Sequence, residues 1–136
     1  MTQQNILKAA ERQFCHFGFS KVTMKDIASE VGMGKASLYY YFPTKEELFR
    51  AVIVTKHDAF MQDLQRRVQK DDPVAERVRT YIAMRIDYFA EITNLNIVDF
   101  QNWHTMRPLM RETYTTFAEQ EHDFLRAILG EGIRSG

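Results

Sequence analysis

The helix punctuation between Val22 and Phe49 limits what this chain can fold into more than any other feature. The segment reads Val-Thr-Met-Lys-Asp-Ile-Ala-Ser-Glu-Val-Gly-Met-Gly-Lys-Ala-Ser-Leu-Tyr-Tyr-Tyr-Phe-Pro-Thr-Lys-Glu-Glu-Leu-Phe. Thr23 can cap a first short helix, and Asp26 completes a carboxylate version of the capping box. Ile27, Ala28 and Val31 give that helix an inward stripe at helical spacing. Gly32 ends it, because the left-handed C-cap position favours glycine. Gly34 adds a second flexible point and removes bulk before the next helix. Lys35 to Phe42 form that helix, with Leu38 and Phe42 as its buried edge. Pro43 stops it and pushes Phe42 toward extended geometry. Thr44 with Glu47 is a capping box for a third helix.

Two short helices joined by a tight turn have the layout of a helix-turn-helix, which lays its second helix in the major groove of DNA. Once the buried edge is subtracted, Lys35, Ser37, Tyr39 and Tyr41 remain exposed, with Tyr40 partly so. Ala36 is small and lets the backbone approach DNA, while the free N–H groups of the first turn suit phosphate oxygens. Lysine supplies charge. Tyrosine hydroxyls donate to phosphates, and their rings pack on sugars or thymine methyls. A purely structural role for three consecutive tyrosines would need all three to point inward, but Leu38 and Phe42 already occupy the inward stripe.

From Asn5 to about Ile53 the chain resembles the DNA-binding domain of the TetR/AcrR family of bacterial transcriptional regulators. The resemblance is carried by Ile6-Leu7-Lys8-Ala9-Ala10 and Phe14, by Gly18-Phe19 and by Val22 to Ala28. It continues through Val31-Gly32, Lys35 to Phe42 and Lys45-Glu46-Glu47-Leu48. It implies DNA contacts from Thr23, Lys35, Ser37, Tyr39, Tyr41 and Lys45, to which exposure on the second helix adds Ala36 and Tyr40. Tyr41 departs from the family pattern, since many relatives carry histidine there. A phenol still donates to a phosphate, without histidine's pH sensitivity.

Charge distribution agrees with this placement. The chain is neutral overall, with 18 Lys and Arg against 18 Asp and Glu. Residues 1–50 hold seven basic and five acidic side chains, and residues 51–136 hold eleven and thirteen. The positive end therefore carries the motif. DNA binding would rest on a few placed cations and helix N-termini, not on bulk charge. Cys15 is the single cysteine, which excludes a disulfide framework or a multi-thiolate metal site, and a half-buried inert thiol is expected. There is no apolar leader, and no apolar run approaches the ~18 residues of a membrane helix. A cytoplasmic protein without membrane contact is expected.

The remaining sequence reads as all-α. A first helix covers about Thr2 to Phe17, with Ile6, Ala10, Phe14 and Phe17 inward. The helix capped by Thr44 runs to about Gln69; at ~1.5 Å per residue, about 25 residues span roughly 38 Å. Its far half must pack on something beyond the head. Asp72 and Pro73 open a helix to about Ile92. Asn94-Leu95-Asn96 is a turn, a short helix spans about Ile97 to Thr105, and Pro108 opens another that Gly130 ends. The expected division is a three-helix DNA-binding head over 1–46 and a helical ligand-binding or regulatory bundle over 47–136.

The second layer carries more aromatic and methionine surface than one core stripe needs. It is either a plain packed core or a cavity with apolar walls and a few polar tips. The family resemblance implies a small-molecule inducer site there. The residues assigned to it are Phe60, Leu64, Tyr88, Trp103, His104, Met110, Tyr114 and Phe117, with Trp103, His104 and Tyr114 favoured for combining bulk with a polar handle.

Catalysis finds no support. The four histidines are scattered, and there is no phosphate loop, His-Glu-x-x-His or nucleophile elbow. The pair Glu119 and His122 lacks the second pair that a di-iron bundle needs. No metal or cofactor is expected. The segment from Gly130 to Gly136 resembles the turn before the two last helices of TetR-like proteins, which form their dimer interface. A missing C-terminal part is therefore expected, with exposed apolar surface where it belongs. The sequence leads to a ligand-responsive, sequence-specific DNA-binding regulator, most simply a repressor released from its operator by a small apolar or amphipathic molecule. The intact protein would bind a near-palindromic operator as a homodimer. The competing class is a helical interaction module whose helix-turn-helix no longer binds DNA.

Overall fold

The computed structural model of the chain describes residues 2–68, 70–94 and 103–135. These form six helices: α1 (Thr2–Phe17), α2 (Met24–Val31), α3 (Lys35–Tyr41), α4 (Lys45–Arg67), α5 (Val74–Asn94) and α6 (Trp103–Ser135). The expected turn at Asn94 to Asn96 and short helix from Ile97 fall largely outside the described residues, as do the side chains of Thr93, Asn94, Trp103, Thr105 and Ser135.

The first four boundaries follow from local chemistry. Gly18, at φ 84°, stops α1 in the left-handed region and donates its N–H to the Phe14 carbonyl at 2.9 Å. At α2 the Thr23 hydroxyl accepts from the Asp26 N–H at 3.1 Å, and the Asp26 carboxylate accepts from the Thr23 N–H at 3.0 Å. The capping box is therefore complete. Those bonds hold the Asp26 carboxyl below its ordinary range. Gly32, at φ 80° and ψ 32°, closes α2 with its N–H on the Ala28 and Ser29 carbonyls. Thr44 caps α4 through the Glu47 N–H at 3.0 Å, but Glu47 does not return the bond, so this box is only half formed.

The head is built on Ile6, Ala10, Phe14, Phe19, Val22, Ile27, Leu38 and Leu48, all buried. The Phe14, Phe19 and Phe49 rings meet at 5.2–5.8 Å between centroids. Phe17, expected inward, is 52% exposed at the last position of α1 and packs edge-on with His16 instead. Cys15 is half-buried; burial first, and then the Glu11 carboxylate, push its thiol up, which suppresses the reactive thiolate.

The head core does not end at α4. Met106 and Met110 of α6 belong to the same buried cluster, and an Arg50 N–H donates to the Leu109 carbonyl at 3.1 Å. The far half of α4 buries His57, Phe60 and Leu64 beneath α5 and α6. The expected second layer is thus present.

Two punctuation rules fail in α6. Pro108 lies inside the helix rather than opening it. The helix absorbs the missing N–H donor and ring clash because the buried residues Met106 and Met110 anchor the flanking turns. Gly130 does not stop the helix, which runs on to Ser135. Long-range packing overrides the glycine. A side chain at Gly132 would meet Val74 at 3.2 Å, so glycine there admits the start of α5, and buried Arg77 pairs with Glu131. The expected turn over 130–136 is therefore helical as far as it is described. Exposed apolar side chains are nonetheless present: Ile82, Ile86 and Phe89 on α5, Leu129 and Ile133 on α6.

Candidate functional site

Two regions carry side chains that the core does not explain. The first is the outer face of α3. Leu38 is fully buried and Phe42 caps the helix in extended geometry, which fixes the roll of α3 on the head. Lys35, Ala36, Ser37 and all three tyrosines are exposed. Tyr40, expected to be partly covered, is the most exposed at 84%, against 39% for Tyr39 and 39% for Tyr41. It lies on the outward side opposite Leu38, and its ring meets Tyr41 edge-on at 5.4 Å. The Lys35 ammonium lies 5.8 Å from the Tyr39 ring centroid, so a cation and an aromatic face stand together at the start of the helix.

Gly34 precedes this face. Its φ of −72° is ordinary, and a side chain there would touch nothing within 4 Å. The fold itself gives no reason for glycine at that position. Lys45 differs from the expectation of a free cation. Its ammonium donates to the Phe19 carbonyl at 2.8 Å and the Val22 carbonyl at 3.0 Å, and sits 4.3 Å from the Phe19 ring centroid. Burial pushes its pKa down. Lys45 thus clasps the loop between α1 and α2, and most of its hydrogen-bonding capacity is turned inward. Thr23 is exposed, but its hydroxyl is already the α2 cap.

The second region is a cavity of about 500 Å³ between α4, α5 and α6, lined by Ile53, His57, Arg85, Tyr88, Phe89, Ile92, His104, Tyr114, Phe117, Ala118 and Glu121. Of the residues assigned from sequence, Tyr88, His104, Tyr114 and Phe117 line it. Phe60 and Leu64 are buried and do not line it, although Phe60 backs the Tyr88 wall at 4.8 Å. Met110 is fully buried in the head core. These three are apolar because they pack, and sequence alone does not separate an apolar wall from an apolar core. The Trp103 side chain lies outside the described residues.

Sequence reasoning missed the polar end of the cavity. Glu121 is only 6% exposed, yet it accepts from the Tyr81 hydroxyl at 2.7 Å and Arg85 Nε at 2.9 Å, and pairs with His57 Nε2 at 3.3 Å. Burial pushes the Glu121 carboxyl up, but the bonds from His57 and Tyr81 and the charge of Arg85 outweigh it and hold it below its ordinary value. Tyr81 is pushed up to about 12, by burial first and then by its bond to Glu121. Burial also raises Tyr88 and Tyr114, so these phenols stay protonated. His57 is 1% exposed and stacks on Phe117 at 3.9 Å; its Nδ1 has no hydrogen-bond partner among the described residues. A further, partly exposed bridge ties the head to the bundle: Lys56 pairs with Glu11 of α1 at 2.8 Å and Glu91 of α5 at 3.6 Å.

An exposed recognition-type helix on a three-helix head, joined by a continuous helix to a lined cavity, defines a helix-turn-helix transcription regulator. Residues 6–52 match the model of the bacterial regulatory proteins of the tetR family. A crystal structure of a transcriptional regulator from Cytophaga hutchinsonii is 33% identical with a TM-score of 0.84, covering 97% of this chain and 67% of that one. The chain belongs to the TetR family of transcriptional regulators. The regulator RutR of Escherichia coli O157:H7 is 27% identical over 131 residues, 96% of this chain. This chain spans 61% of RutR's length. The fold also matches AibR, solved in complex with isovaleryl coenzyme A and operator DNA, at a TM-score of 0.68 and 23% identity over 100% of this chain and 74% of that one. Among the described residues no group of three or more His, Cys, Asp or Glu is placed to hold a metal ion, and no helix is long and apolar enough to cross a membrane.

Proposed function

We propose that this chain is the DNA-reading and ligand-sensing part of a repressor that a small apolar or amphipathic molecule releases from its operator. The observation that carries this reading is α4. It runs unbroken for 23 residues, with Lys45 at the DNA head and His57 in the cavity wall. A ligand that moves His57 moves the helix on which the head is mounted. Lys56 adds a second link, because it ties α4 to the head through Glu11 and to α5 through Glu91.

On the DNA side, Lys35, Ala36, Ser37, Tyr39, Tyr40 and Tyr41 form the contact face. Thr23 adds its hydroxyl at the N-terminus of α2, and Lys45 acts chiefly by holding the preceding loop. The bare N-terminus of α3 at Gly34 lets a phosphate approach the backbone amides. The unit divides into a head over 1–46 and a sensing bundle over 47–136 that share one core. In the intact protein two copies bind a near-palindromic operator in the cytoplasm, with recognition helices about 34 Å apart.

A coupling of about 1–3 kcal/mol between cavity and head lowers operator affinity roughly 5- to 150-fold. The test is anisotropy titration of an operator duplex with and without a compound that raises the thermal midpoint. A fall in affinity within that range supports the reading. Unchanged affinity with the cavity saturated removes the coupling.

A further inference from the structure

We propose that the cavity selects a small organic acid, whose carboxylate pairs with Arg85 and whose apolar body lies against Ile53, Tyr88 and Phe117. This inference rests on the ligand-sensing reading above and adds the chemical class of the ligand.

Four side chains in the described lining carry a charge or an imidazole. They are Arg85, Glu121 and the imidazoles of His57 and His104. Glu121 is the one carboxylate there, and it is already engaged. Its two oxygens serve His57, Tyr81 and Arg85 while only 6% of the residue is exposed. A cationic ligand would have to displace one of these donors, and the described lining offers it no other anion.

Arg85 is in the opposite condition. Its Nε is spent on Glu121 and it also contacts the Tyr81 hydroxyl, but a guanidinium carries more N–H donors than these acceptors consume. Its side chain is 42% exposed, and its plane lies 5.6 Å from the Tyr88 ring centroid. Glu121 and Tyr88 therefore hold the fork at the rim with donors to spare. Carboxylates match that fork in pairs of parallel hydrogen bonds.

The third feature is His57. An ionised Glu121 only accepts, so Nε2 of His57 carries the proton. Nδ1 is left without a partner on a cavity-lining ring that is 1% exposed. That atom is closed off from the cavity, so Arg85 supplies the free polar contact for an acid. The remaining wall is apolar or aromatic, and about 500 Å³ suits a compact body.

The test uses three matched sets of acid, alcohol and amine. They are phenylpropanoate, phenylpropanol and phenylpropylamine; cyclohexylacetate, cyclohexylethanol and cyclohexylethylamine; and hexanoate, hexanol and hexylamine. Binding is measured by calorimetry on the folded chain. In at least one set the acid binds about tenfold or more tighter than both partners, the lead of one charge-assisted contact. Arg85→Met brings the acid to the level of its alcohol, Arg85→Lys restores part of the lead, and Phe117→Ala weakens all members alike. An amine or alcohol that equals the acid in every set that binds overturns the proposal, as does a lead that survives Arg85→Met in a variant with native circular dichroism. If no member of any set binds to folded chain, both the acid assignment and the ligand cavity fall. If acids bind with the stated preference but leave operator affinity unchanged, the acid site stands and the sensing role alone is lost.

Discussion

Glu121→Gln perturbs the buried polar cluster with almost no change in volume. A glutamine keeps one acceptor oxygen and replaces the other with an NH₂ donor. If the retained oxygen takes the Oε1 position, it still accepts from Tyr81 and Arg85. The amide nitrogen then faces His57 Nε2, which must become an acceptor. The imidazole proton moves to Nδ1, where no described residue accepts it. One orphaned buried donor costs about 1–3 kcal/mol. The lost charge pairing of Arg85 adds little, because that side chain is 42% exposed. A total of about 1–3 kcal/mol lowers the thermal midpoint of a chain this size by roughly 4–10 °C.

The pH dependence separates this mechanism from general damage. The folded carboxyl of Glu121 lies below the ordinary glutamate value. Its contribution is therefore fully present above that value and is lost as pH falls through the folded pKa. Asp26 and Glu131 are also lowered, but they are common to both proteins and cancel in the difference. Urea unfolding of wild type and variant, followed by far-ultraviolet circular dichroism at neutral and acid pH, reads the gap. It should be about 1–3 kcal/mol at neutral pH and close toward acid. A variant as stable as wild type at neutral pH, or a gap that persists unchanged in acid, refutes the reasoning.

Three further outcomes follow from the geometry. Lys45→Met should cost about 1–3 kcal/mol by removing two charged hydrogen bonds to the Phe19 and Val22 carbonyls, yet leave the salt slope of DNA binding unchanged; urea midpoints and titrations at several salt concentrations check both. Gly32→Ala should lose about 1 kcal/mol through left-handed strain at φ 80°, whereas Gly34→Ala should hold or slightly raise stability while weakening duplex affinity. Tyr81 favours its neutral form in the folded state, so its contribution is complete below pH 10 and is lost as pH climbs through about 12; unfolding midpoints on either side of pH 10 should fall less steeply in Tyr81→Phe.

The head was legible because its signals are local. Thr23 with Asp26, Gly18, Gly32 and Thr44 satisfy their own helix ends, so a few consecutive residues carry the information. Pro108 and Gly130 misled because packing supplied by Val74, Arg77 and the buried methionines outweighs the local rule. Of the cavity, the aromatic tips Tyr88, Tyr114 and Phe117 and the imidazole of His104 could be read from the sequence. His57, Arg85 and Glu121 could not. They lie on three different helices, and His57 and Glu121 are 64 residues apart. Charged residues at helical spacing read as a solvated face until the bundle closes around them. Lys45 shows the same limit: a cation beside a DNA-binding motif reads as a contact, and only the fold reveals the two carbonyls that hold it.

The most direct test of the central claim is a fluorescence-anisotropy titration of the intact natural protein against duplexes from its own upstream region and a scrambled control. It is run at two salt concentrations, with wild type and Lys35→Met. The expected result is preference for the upstream duplex, weakening with salt, and a salt slope reduced by about 1.8 in Lys35→Met, the share of two phosphate contacts, one from each copy. Equal binding to the scrambled duplex, or a slope untouched by Lys35→Met, contradicts the assignment of the α3 face to DNA.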